Sequence, residues 1–227
     1  METSLHRQLK EIYAEASADA QIEKPLGNYR IDVVRNGELI EIQHGSLAAI
    51  RTKIASLLKN HRVRVVKPIV TRKRLIKQTR RGGKVVSRRL SPKKGSILDL
   101  FHELIYFTRI FPHENLTLEA PLVEVEEWRF PGHGRRRWRR NGDQQVEDQK
   151  LVRIVQIHYF QTADDFLKLM PADLPATFDT GHLAEGLGID RDVAQRIAYC
   201  LRHIGAFDQV GKRGNTRLYR TCAEVAG

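Results

Sequence analysis

Asp32 and Glu41 flank an Asn36-Gly37 dipeptide in the run NYRIDVVRNGELIEIQ, and they are the residues whose types and spacing could do chemistry. Asn-Gly between apolar runs predicts a two-residue hairpin, because a type I′ turn needs positive φ at both central positions. With Arg35 opposite Glu38, Val34 faces Leu39, Val33 faces Ile40, and Asp32 faces Glu41. Directly opposed residues share a sheet face with Cβ atoms roughly 5 Å apart. Gln43 lies two positions past Glu41 and so falls on the same face. Ile31, Val33, Ile40 and Ile42 make up the other, apolar face. Two like charges opposed across a strand pair are destabilising unless compensated. A divalent cation held by hard oxygen ligands is one compensation; pairing of exposed carboxylates with Arg30 or a lysine is the plainer one.

The flanking segments predict the elements that position this pair. Leu5, Leu9, Ile12 and Tyr13 have helical spacing from Leu5 to about Ala16, with Thr3 or Ser4 as the cap. A loop containing Pro25 and Gly27 follows. After Gly45, SLAAIRTKIASLLKNH reads as a helix capped by Ser46, and RVRVVKPIV as a strand. Strand, helix and strand make a crossover, expected to be right-handed. Residues 71–95 read as a second hairpin around Arg80-Arg81-Gly82-Gly83. Ser96 and Asp99 form a capping box before SILDLFHELIYFTRIF, read as an amphipathic helix. Residues 116–128 and 151–160 alternate like strands. The expected fold class is α/β, with a mixed central sheet flanked by helices.

Asp32, then Glu41-Ile42-Gln43, then a helix and a strand, resembles the ββαβ core of the PD-(D/E)XK nuclease superfamily, in which an Asp on one strand precedes a Glu-x-Lys on the next. The resemblance covers roughly residues 1–70 and rests on a short, degenerate motif joined to the hairpin register. It implies a restriction-endonuclease-like domain at 1–160 and a Mg²⁺ (or Mn²⁺) ion held by Asp32 and Glu41. Gln43 stands where the family usually has lysine; glutamine occurs there in some members, such as the competence-associated type. Gln43 would orient a water, and Lys53 on the following helix would supply the missing charge. Family members often add an upstream glutamate, for which Glu23 is preferred over Glu11. Either glutamate is also an ordinary surface acid.

Charge points to a polyanion. Thirty-nine Lys+Arg against 27 Asp+Glu gives a net +12. Residues 42–98 hold 17 bases and no acid, and residues 129–140 add six arginines. Basic segments of this kind bind phosphates through counterion release, although a solvated basic surface has the same composition. The candidate nucleic-acid contacts are Arg72, Lys73, Arg74, Arg80, Arg81, Lys84, Arg88 and Arg89 in the basic hairpin. Arg135, Arg136, Arg137, Arg139 and Arg140 follow in an Arg-rich loop at 129–142, where Trp138 could stack on a base. DNA is expected ahead of RNA.

From Thr162 the texture changes. Thr162 with Asp165 is a second capping box. DTGHLAEGLGID, RDVAQRIAYCLRHIG and AFDQVGKRGNTRLYR then read as helix, helix and hairpin, a winged-helix-like domain at 161–227. Arg196, Arg202, Lys212 and Arg213 are its candidate contacts. Asp190 and Asp192 at the second helix's start would repel phosphates, though acids there also serve as simple caps; a protein partner or a homodimer through this domain is the other expectation. Hydrophobic residues make up 41%, too many for a disordered chain. No apolar run is long enough for a membrane helix, and the N-terminal residues lack a signal-peptide pattern. Cys200 and Cys222 alone make neither a disulfide framework nor a zinc site, so a cytoplasmic setting is expected. The reading is a Mg²⁺-dependent DNA endonuclease in repair, recombination or defence. The alternative is a catalytically inactive nuclease-fold DNA-binding protein, acting as a regulator or assembly subunit.

Overall fold

The computed structural model describes residues 2–132 and 144–222. Helix α1 (Ser4–Glu15) opens on Thr3, whose hydroxyl accepts the His6 N–H at 3.4 Å. It buries Leu5, Leu9 and Tyr13, whereas Ile12, expected on the same stripe, is 40% exposed. The segment read as a loop is a strand: β1 (Gln21–Leu26) pairs antiparallel with β2 (Tyr29–Arg35) around Gly27-Asn28. Its polar, unalternating sequence conceals it, and Pro25 is tolerated because β1 is the edge of the sheet. Strand β3 (Glu38–Ile42) pairs with β2 in the register that the Asn-Gly turn implies: Arg35↔Glu38, Val34↔Leu39 and Val33↔Ile40.

Asn36 and Gly37 have φ of 47° and 71°, both in the left-handed region. Replacing Gly37 by Ala should therefore lower stability by about 1–2 kcal/mol, the cost of placing a Cβ there. A shift of the urea midpoint to lower concentration checks this; an unchanged midpoint would mean that the turn relaxes freely.

Ser46 caps a 3-10 turn, Leu47–Ala49, which runs into α2 (Arg51–Leu57). Strands β4 (Arg62–Val66), β5 (Ile69–Gln78) and β6 (Val85–Leu90) follow, the last two joined as the basic hairpin. The long helix expected from Ser96 is instead a 3-10 turn, Ile97–Leu100, and a short α3 (Phe101–Leu104). Beyond it Phe107 N bonds Leu104 O and Ile110 N bonds Phe107 O, tight i→i+3 contacts. The β-branched and aromatic IYFTRIF is a weak helix former. Packing of Phe101, Leu104, Phe107 and Phe111 prevails over regular helix there.

Strands β7 (Leu116–Pro131) and β8 (Gln144–Phe160) are longer than the alternation suggested. The eight strands form one mixed sheet in the order β1-β2-β3-β4-β7-β5-β6, with β8 beside β7. Strands β5 and β7 are parallel and the hairpins antiparallel. The fold is therefore α/β, a large mixed central sheet flanked by helices. Among the described residues no helix is long and apolar enough to cross a membrane.

Two compact units divide the chain. The first comprises Met1–His44, Val66–Ile97 and Ala120–His158. Its core sets Leu5, Leu9 and Tyr13 of α1 against Val33, Ile40, Ile42, Val66, Val123 and Val125. The second comprises Gly45–Val65, Leu98–Glu119 and Tyr159–Gly227. It contains α4 (Ala163–Leu167), α5 (Thr180–Leu187), α6 (Arg191–His203) and the hairpin β9 (Phe207–Arg213)–β10 (Thr216–Thr221). The capping box of Thr162 with Asp165 is present at α4. The boundary expected near residue 161 falls between Phe160 and Phe166, whose rings stack 4.1 Å apart.

Candidate active site

Asp32 stands one step beyond the last regular pair of the β2–β3 ladder, where continued register would oppose it to Glu41. Its carboxylate takes the place of a backbone acceptor, receiving the Ile42 N–H on Oδ2 at 2.9 Å. This bond draws the Asp32 side chain to the backbone beside Glu41. Glu41 is only 5% exposed, so the expectation of an exposed edge carboxylate does not describe it. Gln43 lies just past the strand, and its backbone N–H donates to Val66 O at 2.8 Å, which extends the pairing one residue further.

Helix α1 adds groups that sequence reasoning missed. His6 Nε2 lies 3.3 Å from Asp32 Oδ2, and its Nδ1 lies 2.9 Å from Glu2. Lys10, 4% exposed, reaches Glu2 at 2.5 Å and Glu23 at 2.6 Å. Glu2, His6 and Lys10 recur every four residues, one helical stripe beside the apolar one. That spacing was the available signal, but a lysine in such a row reads as solvated.

Glu23, the preferred third ligand, lies between the pairs Ile22↔Val33 and Lys24↔Ile31, and so opposite Asp32 in register. Its backbone is at φ 54°, and its carboxylate pairs with Lys10 and with Arg30, each at 2.6 Å. Glu11 is on the exposed side of α1, 3.9 Å from Arg7. Lys53 lies on α2, in the second unit. Asp32 is thus brought to the Ile42 backbone N–H and to His6, while Glu41 and Gln43 follow on β3 and just past it. Among the described residues no group of three or more His, Cys, Asp or Glu is arranged to hold a metal ion. What is present is a pair of hard oxygen donors, Asp32 and Glu41.

The electrostatics of the pair are coupled. Burial would raise the Asp32 pKa, but the His6 hydrogen bond and the Ile42 N–H outweigh it and hold the carboxyl below its usual range. The Asp32 hydrogen bond lifts His6 above the ordinary histidine range against the effect of burial. The raised His6 stabilises the fold fully below its unfolded pKa and loses that contribution as pH rises through the folded value. The lowered Asp32 stabilises above its unfolded pKa and loses that contribution as pH falls through the folded value. Both are complete between about pH 4 and 6.5, the unperturbed values. Asp32→Asn should lower the His6 pKa, read by NMR titration of the imidazole. An unshifted His6 would mean that the contact carries no charge.

A second polar cluster surrounds Glu127 of β7, which is 2% exposed. Lys73 Nζ reaches it at 2.5 Å, Gln149 Nε2 at 2.7 Å, and Arg129 also bonds it. Its carboxyl is lowered because these donors overcome burial. Lys67, buried at the end of β4, donates to His44 O at 3.0 Å. Burial, then Lys67 and Lys73, depress His44.

The basic hairpin divides into tied and open charges. Lys73 is held by Glu127, Arg74 lies 3.5 Å from Glu126, and Arg81 lies 3.9 Å from Glu147. Arg72, Arg80, Lys84, Arg88 and Arg89 are exposed, and every residue of β6 is exposed. In the second unit Arg196 bonds His102, Arg202 bonds His203 at 3.2 Å, and Arg213 bonds Asp179 at 2.8 Å, while Lys212 is exposed. Arg135, Arg136, Arg137, Trp138, Arg139 and Arg140 lie outside the described residues.

Comparison with known proteins gives a family and a relative. A protein of Treponema pallidum (strain Nichols), named "Uncharacterized protein", is 30% identical over 222 residues, covering 96% of this chain and 85% of its own. No solved structure matches. Residues 3–161, which include α1 and all of β1–β8, match the family described as "Domain of unknown function (DUF8091)". The chain belongs to the DUF8091 family.

Proposed function

We propose that this protein is a divalent-metal-dependent endonuclease acting on DNA, in DNA repair, recombination or defence, with Asp32 and Glu41 as its metal ligands. The observation that carries the reading is a single one. Asp32 accepts the backbone N–H of Ile42, the neighbour of a buried Glu41 on the adjacent strand, and like charges opposed in that register would need a cation. A bound Mg²⁺ or Mn²⁺ would acidify a water and neutralise charge on the scissile phosphate. The residues of the chain do the rest. Gln43 orients the water, His6 holds Asp32 in place until the site is filled, and the open arginines of the basic hairpin grip phosphates without reading sequence. The helices α5 and α6 with the β9–β10 hairpin form a subsidiary winged-helix-like arm. A cytoplasmic setting agrees with two free cysteines, Cys200 and Cys222.

The test is incubation of duplex, single-stranded and branched DNA with the protein and Mg²⁺ or Mn²⁺, beside an EDTA control. Metal-dependent products support the reading, and no product on any substrate overturns it. One observation favours the second reading, a binding-only regulator or assembly subunit: Asp32 is already held by His6 and Ile42.

Both readings require the basic hairpin to meet DNA. Replacing Arg72, Arg80, Lys84, Arg88 and Arg89 by Ala should weaken binding to all sequences alike. The slope of log K against log salt should become shallower by about 0.9 for each lost duplex phosphate contact. An unchanged slope would assign this strand another partner.

A further inference from the structure

In the second unit, α6 and the β9–β10 hairpin line an open cleft of about 370 Å³. Arg191, Gln195 and Tyr199 recur every four residues along one row of α6 and form one wall; the buried Ala194, Ile197, Ala198 and Leu201 make up the helix's opposite face. Arg217 and Asn215 at the hairpin form the other wall, and Thr180, Thr216 and Tyr219 complete the lining. Arg191 and Arg217 make no ion pair among the described residues, and no carboxylate lines the cleft. The nearest acids are accounted for. Asp179 accepts the Gly181 and His182 N–H groups and pairs with Arg213, while Asp190 and Asp192 flank Arg191 outside the lining. Tyr199 is 40% exposed and its ring is backed by His203, with centroids 3.9 Å apart.

We infer that this cleft binds one nucleotide of a single strand, with Arg191 and Arg217 on the phosphate and the Tyr199 ring against the base. Two arginines facing hydroxyls and amides select an anion able to accept several hydrogen bonds. The backed tyrosine adds a stacking surface that any base can use. Concavity favours a single strand over a duplex: the α6 row that would have to enter a groove here lines a cleft instead. The inference stands apart from cleavage, because it is read in EDTA and within the second unit.

The experiment uses the full chain, a labelled short single-stranded oligonucleotide in EDTA, and adenosine monophosphate, adenosine, inorganic phosphate, a duplex and a poly-glutamate peptide as competitors. The monophosphate should compete at least tenfold better than adenosine or phosphate. Arg191→Gln with Arg217→Gln should abolish that advantage and make the oligonucleotide's salt slope shallower by about 0.7, one single-strand phosphate contact. Tyr199→Ala should cost the monophosphate roughly tenfold and leave phosphate unaffected. Equal competition by phosphate would leave a bare anion site, equal competition by poly-glutamate an acidic-peptide site, and better competition by duplex a groove reader; each overturns the inference. All three side chains are exposed, so circular dichroism should confirm folded variants.

Discussion

Asp32→Ala and Glu41→Ala should each abolish metal-dependent cleavage while leaving DNA affinity within a few-fold of the starting protein. With two carboxylates as the candidate protein ligands, loss of either leaves too few hard oxygens to retain Mg²⁺ against water. Removal of a principal catalytic element ordinarily costs several orders of magnitude in rate. Binding should survive because the proposed phosphate contacts lie on the β5–β6 hairpin and its turn, not on β2 and β3. The two variants differ in their structural effect. Asp32→Ala deprives the Ile42 N–H and His6 of an acceptor, so Asp32→Asn is the better control for folding. Glu41→Gln keeps the buried shape and removes the charge. Undiminished cutting by the folded Asp32→Asn protein would place the chemistry elsewhere.

Phe166→Ala should destabilise the second unit by about 3–5 kcal/mol. Phe166 has no exposed surface, and its ring meets those of Phe160, Phe101 and Phe111 at centroid distances of 4.1, 5.6 and 5.4 Å. Deleting it removes apolar burial and leaves a cavity that three rings from distant segments cannot all close. Calorimetry would show a lowered transition for this unit. A loss below about 1 kcal/mol would mean that the cluster repacks. The same cluster bears on truncation, since a chain ending at residue 160 lacks Phe166 and exposes the rings of Phe101 and Phe111.

The hairpin was legible because its information is local: Asn36-Gly37 set φ, φ set the turn, and the turn set the register of Arg35 with Glu38. The Thr162 capping box was legible for the same reason. Strand β1 was not, because an edge strand with polar residues on both faces shows no period, and Pro25 argued for a loop. The helix after Ser96 failed where long-range aromatic packing outweighed a correct local apolar pattern. In the site, the turn placed Asp32 on β2 and Glu41 on β3, one step beyond the last regular pair of the ladder. His6 and Lys10 could not be placed, since which side of α1 meets the sheet depends on the whole core and not on any window of sequence. Lys73 shows the limit of reading charge runs: counted as open, it is bound to Glu127, a residue more than fifty positions away whose burial no local pattern announces.

Strand β6 ends the sheet and leaves a rank of backbone N–H and C=O groups with no strand beside it among the described residues, together with exposed Val85, Val86 and Leu90. An edge of this kind is a template on which a second copy could add itself, and then a third. Arg88 and Arg89 oppose that growth, because two approaching edges bring like charges together before any backbone bond can form. The protection is electrostatic and so weakens as added salt shortens the Debye length. Colloidal stability will therefore fall as ionic strength rises, and storage at low salt is the condition under which these arginines best keep the molecules apart.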